Sequence, residues 1–105
     1  MDPHDNNAFS VEVNSDGILV VHGDIDMAGG PVLEASILER EASCPIVIDL
    51  ADVSFIDSSG LRSLLGASRR AESRDAVVTL RRVGPEVMRL LEITGTTDLF
   101  AIDAR

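Results

Sequence analysis

The residue types that could carry chemistry are most concentrated at Asp57-Ser58-Ser59-Gly60. A carboxylate and two hydroxyls before an amphipathic helical pattern are typical of a helix N-terminus, where such side chains accept hydrogen bonds from backbone N–H groups. Capping alone does not require two adjacent serines, and Gly60 has no side chain that would shield these serines from solvent. Because the N–H groups and the dipole at this end of a helix favour negative charge, a serine exposed here is suited to carry a phosphate. We therefore expect a helix cap and a candidate phosphorylation site in one segment.

Further carboxylates follow two predicted strands. Asp24 and Asp26 come after the second strand, Asp49 lies near the end of the third, and Asp52 begins the loop that follows it. Clustered carboxylates could hold a divalent cation, and Asp49 resembles the phosphoacceptor of a receiver domain. Receiver domains also use a lysine on a later strand, and this chain has no Lys. We predict no metal and no cofactor, and interpret most of these carboxylates as a solvated surface that repels acidic ligands.

Hydrolysis by Ser58 is a further alternative. The surrounding residues do not match the G-x-S-x-G pattern of a nucleophile elbow. A serine nucleophile also requires a base, and the two histidines are His4, in the N-terminal tail, and His22, within a predicted strand. Cys44 precedes Pro45 and is interpreted as a small apolar residue. We therefore predict that the protein is not an enzyme.

Composition narrows the class of partner. A chain of 105 residues with 45% hydrophobic residues is sufficient for one domain with its own core. A net charge of −9, with neither Trp nor Tyr, argues against nucleic-acid binding. The longest apolar run, Ile18 to Val21, is far shorter than the roughly 20 residues of a membrane helix. With a single cysteine and no secretory signal pattern, we expect a cytoplasmic protein that binds no membrane.

The chain is predicted to open with an antiparallel hairpin. Residues 1–7 are polar and are predicted to be a flexible tail, with the domain over residues 8–105. Alternation of apolar and polar residues over Phe9–Val13 predicts a half-buried strand, and Asp16-Gly17 is a hairpin turn signal. Residues Gly17–His22 include an apolar run facing both ways, which predicts a central second strand.

Helices then alternate with strands. Pro31 favours the start of a helix over Val32–Ala42, leucines at helical spacing follow Gly60, and Gly84-Pro85 begins a third helix. Gly66 lies inside the second helix, where we expect close packing on the sheet. Strands are predicted at Ile46–Leu50, Ala76–Leu80 and Leu99–Ile102.

This order, β-β-α-β-α-β-α-(β), indicates an α/β fold. Strands alternating with helices imply parallel crossovers, so we expect a mostly parallel sheet with an N-terminal antiparallel hairpin and helices packed on it. Ligands and partners of such sheets usually meet the carboxyl ends of the strands. The segments Gly23–Asp26 and Phe55–Gly60 both lie there, so we predict that they are neighbours and form one surface.

The sequence V-I-D-L-A-D-V-S-F-I-D-S-S-G-L, residues 47–61, resembles the central motif of STAS domains, in particular of the bacterial anti-sigma factor antagonists. G-D-I-D, residues 23–26, is similar to the G-[DE]-[LI]-D segment of that family, and the order of elements agrees over residues 9–102. The family commonly continues into a C-terminal helix after the last strand. This chain ends at Arg105, so we expect that helix to be absent or the chain to be short.

The resemblance implies a partner-switching function in transcription control. The unphosphorylated form would bind an anti-sigma factor with GHKL-type serine kinase activity and release its sigma factor. Phosphorylation by that kinase falls on the serine that matches Ser58, a serine phosphatase would reverse it, and the Asp of the shorter segment is Asp26. We predict these partner-binding residues: Asp24, Asp26, Asp57, Ser58, Ser59, Gly60 and Leu61. Alternatives are a STAS scaffold or small-ligand-binding module in another stress-signalling complex and, less favoured, a serine hydrolase.

Overall fold

The computed structural model describes residues 9–42 and 45–103, so the predicted tail, His4 and Cys44 lie outside the described residues. The elements follow the predicted order, and the last predicted strand is present. They are β1 (Ser10–Val13), β2 (Leu19–His22), α1 (Gly29–Glu41), β3 (Val47–Asp52), α2 (Ser58–Glu72), β4 (Val78–Arg81), α3 (Pro85–Ile93) and β5 (Phe100–Asp103). No helix among the described residues is long and apolar enough to span a membrane.

The strands form one five-stranded sheet in the order β1-β2-β3-β4-β5. β1 and β2 are antiparallel, and each later pair is parallel. The hairpin turn is stabilised by Asn14, whose Oδ1 accepts hydrogen bonds from the N–H groups of Asp16 at 2.9 Å and Ile18 at 3.0 Å. Gly17 has a φ of +81°, a conformation that glycine adopts without steric cost. The predicted mixed α/β fold is therefore confirmed.

The core lies between the helices and one face of the sheet. Because the strand order is sequential, right-handed crossovers place all three helices on the same face. The buried side chains include Leu19 and Val21 of β2, Ile48 and Leu50 of β3, and Leu80 of β4, which alternate along their strands and point toward the helices. The alternate residues form the opposite, helix-free face, which is defined by a row of paired positions: Glu12, Val20, Asp49 and Arg81.

Several element boundaries differ from the sequence predictions by one to three residues. α1 begins at Gly29 rather than Val32, because Asp26 supplies acceptors for the first N–H groups of the helix. Pro31 is tolerated as the third helical residue because the first four N–H groups of a helix have no partner within it. β3 continues to Asp52, two residues beyond the predicted end. β4 begins at Val78 rather than Ala76, because the N–H of Ala76 still donates to the Ala71 carbonyl at the end of α2.

Candidate functional site

A parallel β-bridge between Ile25 and Ile56 joins the two segments that follow β2 and β3. The N–H of Ile25 donates to the Phe55 carbonyl at 3.0 Å, and the N–H of Asp57 donates to the Ile25 carbonyl at 3.1 Å. The predicted neighbourhood of the two segments is confirmed. These backbone hydrogen bonds fix the chain on both sides of Ile56, and the Ser58 segment starts from a rigid base.

Asp57 caps α2, and Ser58 is the first residue of the helix. Asp57 Oδ1 accepts a hydrogen bond from the N–H of Gly60 at 2.9 Å, and its carbonyl accepts from Leu61 at 2.9 Å. Ser58 is exposed, and no described residue makes a hydrogen bond to its hydroxyl. Because Asp57 performs the capping, the Ser58 hydroxyl is left available at the positive end of the helix dipole.

Gly60 and Leu61 are buried and hold the first turn of α2 in place. A Cβ on Gly60 would lie 2.4 Å from the Ile25 carbonyl oxygen and 2.8 Å from Ile56 Cγ1. Real Cβ atoms do not approach so closely, so only glycine permits this contact between α2 and the bridge. The first turn therefore lies directly on the Ile25–Ile56 bridge.

The start of α1 packs beside the same turn. Ser63 donates from its hydroxyl to the Gly30 carbonyl at 3.1 Å, and a Cβ on Gly30 would lie 3.4 Å from the Ser59 carbonyl oxygen. Ser59 is half-buried, so it is less accessible than its neighbour Ser58. This packing brings the N-termini of two helices to the same edge of the sheet.

Asp24 and Asp26 are both exposed on the loop before α1. Asp26 Oδ1 accepts hydrogen bonds from the N–H groups of Ala28 at 3.0 Å and Gly29 at 2.9 Å. Asp24 Oδ1 accepts from the Ser54 hydroxyl at 3.3 Å, which is a second link between the two loops. The edge thus carries three carboxylates, each engaged by a hydrogen bond, around the Ser58 hydroxyl, which has no partner among the described residues.

A model of the STAS domain matches residues 8–105. The chain belongs to the STAS domain family. It is 31% identical over 97 residues to the anti-sigma-B factor antagonist of Bacillus subtilis, covering 90% of this chain and 89% of that one. The crystal structure of an anti-sigma factor antagonist from Mycobacterium paratuberculosis is similar with a TM-score of 0.74 and 31% identity, over 93% of this chain and 86% of the other. Phosphorylated SpoIIAA of Bacillus shares the fold, with a TM-score of 0.66 and 22% identity over 93% of each chain.

The helix-free face of this STAS domain carries an ion pair that sequence analysis missed. Arg82 donates from Nε to Asp49 Oδ2 at 3.0 Å, and its Nη2 also bonds this carboxylate. Asp49 is 4% exposed, and burial by itself raises the pKa of a carboxyl. The hydrogen bonds from Arg82 and from the Ala51 N–H outweigh burial and lower the pKa of Asp49. Asp49 is therefore a structural carboxylate with its charge already neutralised.

His22 also lies on the helix-free face, between two carboxylates. Nδ1 is 2.8 Å from Asp52 Oδ2, and Nε2 is 2.6 Å from Glu12 Oε1. The hydrogen bonds to Asp52 and then to Glu12 raise the pKa of His22. The two carboxylates contact opposite sides of the ring, and no group of three or more His, Cys, Asp or Glu side chains in the described ranges is arranged to hold a metal ion. Since both ring nitrogens are engaged, His22 is not positioned as a base for Ser58.

Proposed function

We propose that this STAS domain is an anti-sigma factor antagonist controlled by phosphorylation at Ser58. The observation that carries the proposal is the exposed hydroxyl of Ser58, which begins α2 on a rigid base and has no partner among the described residues. The Bacillus subtilis relative, an anti-sigma-B factor antagonist, supports the class of partner. That partner is an anti-sigma factor with GHKL-type serine kinase activity, a serine phosphatase reverses the modification, and the site of action is the bacterial cytoplasm.

The docking surface that we propose is the edge formed by the two joined loops. Asp24, Asp26, Asp57 and Ser58 are at least partly exposed there, and Ser59 is half-buried beside them. Gly60 and Leu61, which are buried, contribute by fixing the first turn of α2 rather than by direct contact. A surface with three carboxylates fits a partner that presents Arg or Lys side chains, because charge-assisted hydrogen bonds are stronger than neutral ones.

Phosphorylation would act as a local electrostatic switch. The kinase transfers the γ-phosphoryl group of ATP to Ser58 Oγ, with ADP as the leaving group and the hydroxyl proton released. The phosphate adds about −1.5 to −2 charges, which the N-terminus of α2 tolerates because its dipole favours negative charge. In the interface, the same charge lies beside Asp57 and displaces the hydroxyl from its contacts. A loss of about 3 kcal/mol would weaken binding more than a hundredfold without any change of fold.

A hydrolase function is less consistent with these contacts. A serine nucleophile needs a base within hydrogen-bond reach, and both nitrogens of His22 are held by Asp52 and Glu12. The partner-switching proposal requires only an accessible hydroxyl and a docking surface. We therefore propose a regulatory protein without catalytic activity of its own.

The proposal is tested by incubating the protein with ATP and the purified anti-sigma factor kinase from the same organism. Phosphopeptide mapping should place the phosphate on Ser58. Ser58→Ala should bind the kinase but resist phosphorylation, whereas the matched control Ser59→Ala should still be phosphorylated. Ser58→Asp should bind more weakly than wild type in calorimetric titration, without complete loss, because one carboxylate carries less charge than a phosphate.

Two results would count against this account. Phosphate on Ser59 alone would move the modification site while leaving the family intact. Equal affinities of wild type and Ser58→Asp, both with unchanged melting temperatures, would show that charge at this position does not control binding.

A further inference from the structure

Large apolar side chains are exposed beside the docking surface. Phe55 is 53% exposed and Ile93 is 71% exposed. Together with Leu90 and the buried Ile56 they line a cleft of about 210 Å³ between α3 and the segment that leads to Ser58. Exposed apolar surface that is grouped in this way marks interaction sites on soluble proteins.

The sequence of α3 explains why this apolar surface is not needed by the core. Val87 and Leu91, four residues apart, are fully buried in the hydrophobic core. Leu90 and Ile93, three residues apart, lie on the neighbouring side of the helix and line the cleft. Residues three and four apart share a helix face, so α3 has a second apolar stripe in addition to the one that builds the core.

The cleft is continuous with the Ser58 surface through a fixed stretch of backbone. The Phe55 carbonyl accepts from Ile25 at 3.0 Å, and the Asp57 N–H donates to Ile25 at 3.1 Å. Only two residues separate Phe55 from Ser58. A stable interface covers roughly 800 Å² on each partner, so a protein that docks on Ser58 can also cover the cleft.

Charge decides between the possible occupants of the cleft. Glu86 and Arg89 line it, so the lining itself has one charge of each sign, and Asp57 caps the adjacent helix. The chain has a net charge of −9. Each copy of the chain carries this net negative charge, and the repulsion between two copies disfavours a second copy as the occupant. A partner that presents an apolar side chain beside basic ones complements the apolar lining, Glu86 and the net negative charge of the chain.

We propose that this cleft receives an aliphatic or aromatic side chain of the anti-sigma factor, carried on a segment whose Arg or Lys pairs with Glu86. The proposal rests on the proposed function and adds an apolar anchor to a surface otherwise defined by carboxylates and a hydroxyl. A side chain that fills such a pocket commonly supplies a large share of binding energy. Phosphorylation of Ser58 then controls one part of the affinity for the anti-sigma factor, while the cleft supplies a part that does not depend on phosphorylation.

The test uses the full chain and the purified anti-sigma factor kinase. Ile93→Gln and Phe55→Ala should each weaken binding roughly tenfold or more in calorimetric titration. Leu38→Gln is the matched control, because Leu38 is 48% exposed on α1 and lines no part of the cleft. It should bind as wild type does. Glu86→Gln should weaken binding by a smaller factor and reduce its dependence on salt.

The outcomes distinguish failure of the cleft assignment from failure of the proposed function. If wild type binds and both cleft variants bind equally well, the cleft assignment is overturned while the Ser58 surface stands. If wild type does not bind the kinase at all, both are overturned. Thermal melts check that the variants are folded, and Phe55→Ala decides if Ile93→Gln lowers the melting temperature. A wild-type dimer in sedimentation that Ile93→Gln dissociates would overturn the assignment in favour of a second copy.

Discussion

The Ser58 edge and the helix-free face of the sheet both carry clustered carboxylates, but these carboxylates have different kinds of partner in the two regions. On the helix-free face, Asp49 is neutralised by Arg82, and His22 is held between Glu12 and Asp52. At the edge, the Asp57 carboxylate accepts a hydrogen bond from the backbone N–H of Gly60, and the neighbouring hydroxyl of Ser58 has no partner within the described part of the chain. The charged groups on the helix-free face are paired with one another, whereas the Ser58 edge leaves polar groups available to a partner protein.

The difference follows from what each region does for the molecule. A carboxylate buried on a central strand must be paired, because an isolated buried charge is costly. A helix N-terminus at the end of the sheet has solvent beside it and needs only its first N–H groups satisfied. The same residue type, Asp, is therefore structural at position 49 and part of an accessible surface at position 57. Substitutions in the two regions should accordingly separate stability from binding.

The largest effect is expected from Gly60→Ala, which disturbs the base on which the Ser58 edge is built. Its Cβ would lie 2.4 Å from the Ile25 carbonyl oxygen, so either α2 or the Ile25–Ile56 bridge must shift. We expect a loss of about 3 kcal/mol in the free energy of unfolding, the upper range for overpacking. Urea denaturation measures this loss.

Gly66→Ala is the matched control within the same helix. A Cβ there would meet only the ends of two side chains, Arg70 at 3.4 Å and Glu34 at 4.0 Å. We expect stabilisation by about 0.5–1 kcal/mol, because alanine has the higher helix propensity. Similar stability of the two variants would mean that the contact at Gly60 is not tight.

A somewhat smaller effect is expected from Arg82→Asn, which breaks the ion pair on the helix-free face. Asp49 remains buried without its guanidinium partner, while Asn tolerates the positive φ of +52° at this position. We expect a loss of stability that is smaller than for a fully buried pair, because the Arg82 side chain is 54% exposed and water screens its charge. Affinity for the anti-sigma factor should not change. A double-mutant cycle with Asp49→Asn measures the coupling, and a coupling near zero would contradict the assigned role.

The sequence predicts the edge better than the helix-free face for a physical reason. Asp57 and Ser58 are adjacent in the chain, and capping is a local interaction, so their pattern is readable without a fold. Asp49 and Arg82 are 33 residues apart, and their pairing depends on strand register and on the backbone turn after β4. The start of α1 was misplaced because Pro31 is a stronger local signal than the more distant Asp26.

The error at Gly66 has a different cause. A glycine inside a helix indicates a close approach but does not say to what, and here the nearest neighbour is the side chain of Arg70 rather than the sheet. Gly60 is the glycine that makes the close approach, against Ile25 and Ile56. The element order and the joined loops were predictable because they depend on apolar periodicity and on the parallel crossover alone.

A moderate effect is expected from Asp26→Asn, and it should appear in binding rather than in stability. Asn retains an oxygen that can accept from Ala28 and Gly29, and it is itself a good capping residue. We expect the melting temperature to be nearly unchanged and affinity for the anti-sigma factor to fall by about 1.5 kcal/mol, since a hydrogen bond to a charged group is lost. Calorimetric titration of this variant measures the affinity, and a thermal melt measures the melting temperature. Full affinity would restrict Asp26 to capping α1.

The smallest effect on stability is expected from the titration of His22. It tests whether the charge of the His22 ring stabilises its pairing with the carboxylates on the helix-free face. The groups that face the ring are Asp52 of β3 and Glu12 of β1, and both raise the pKa of His22 in the folded protein. Stability contributed by this pairing is therefore fully present below the unfolded pKa of about 6.5 and is lost as pH rises through the folded pKa. Wild type should exceed His22→Gln in melting temperature more at pH 6 than at pH 9. Because the side chain is 36% exposed, solvent and salt should reduce the difference. A difference that is constant between these pH values would show that the two hydrogen bonds do not depend on the charge of the ring, and Ser58 phosphorylation should be unaffected in either case.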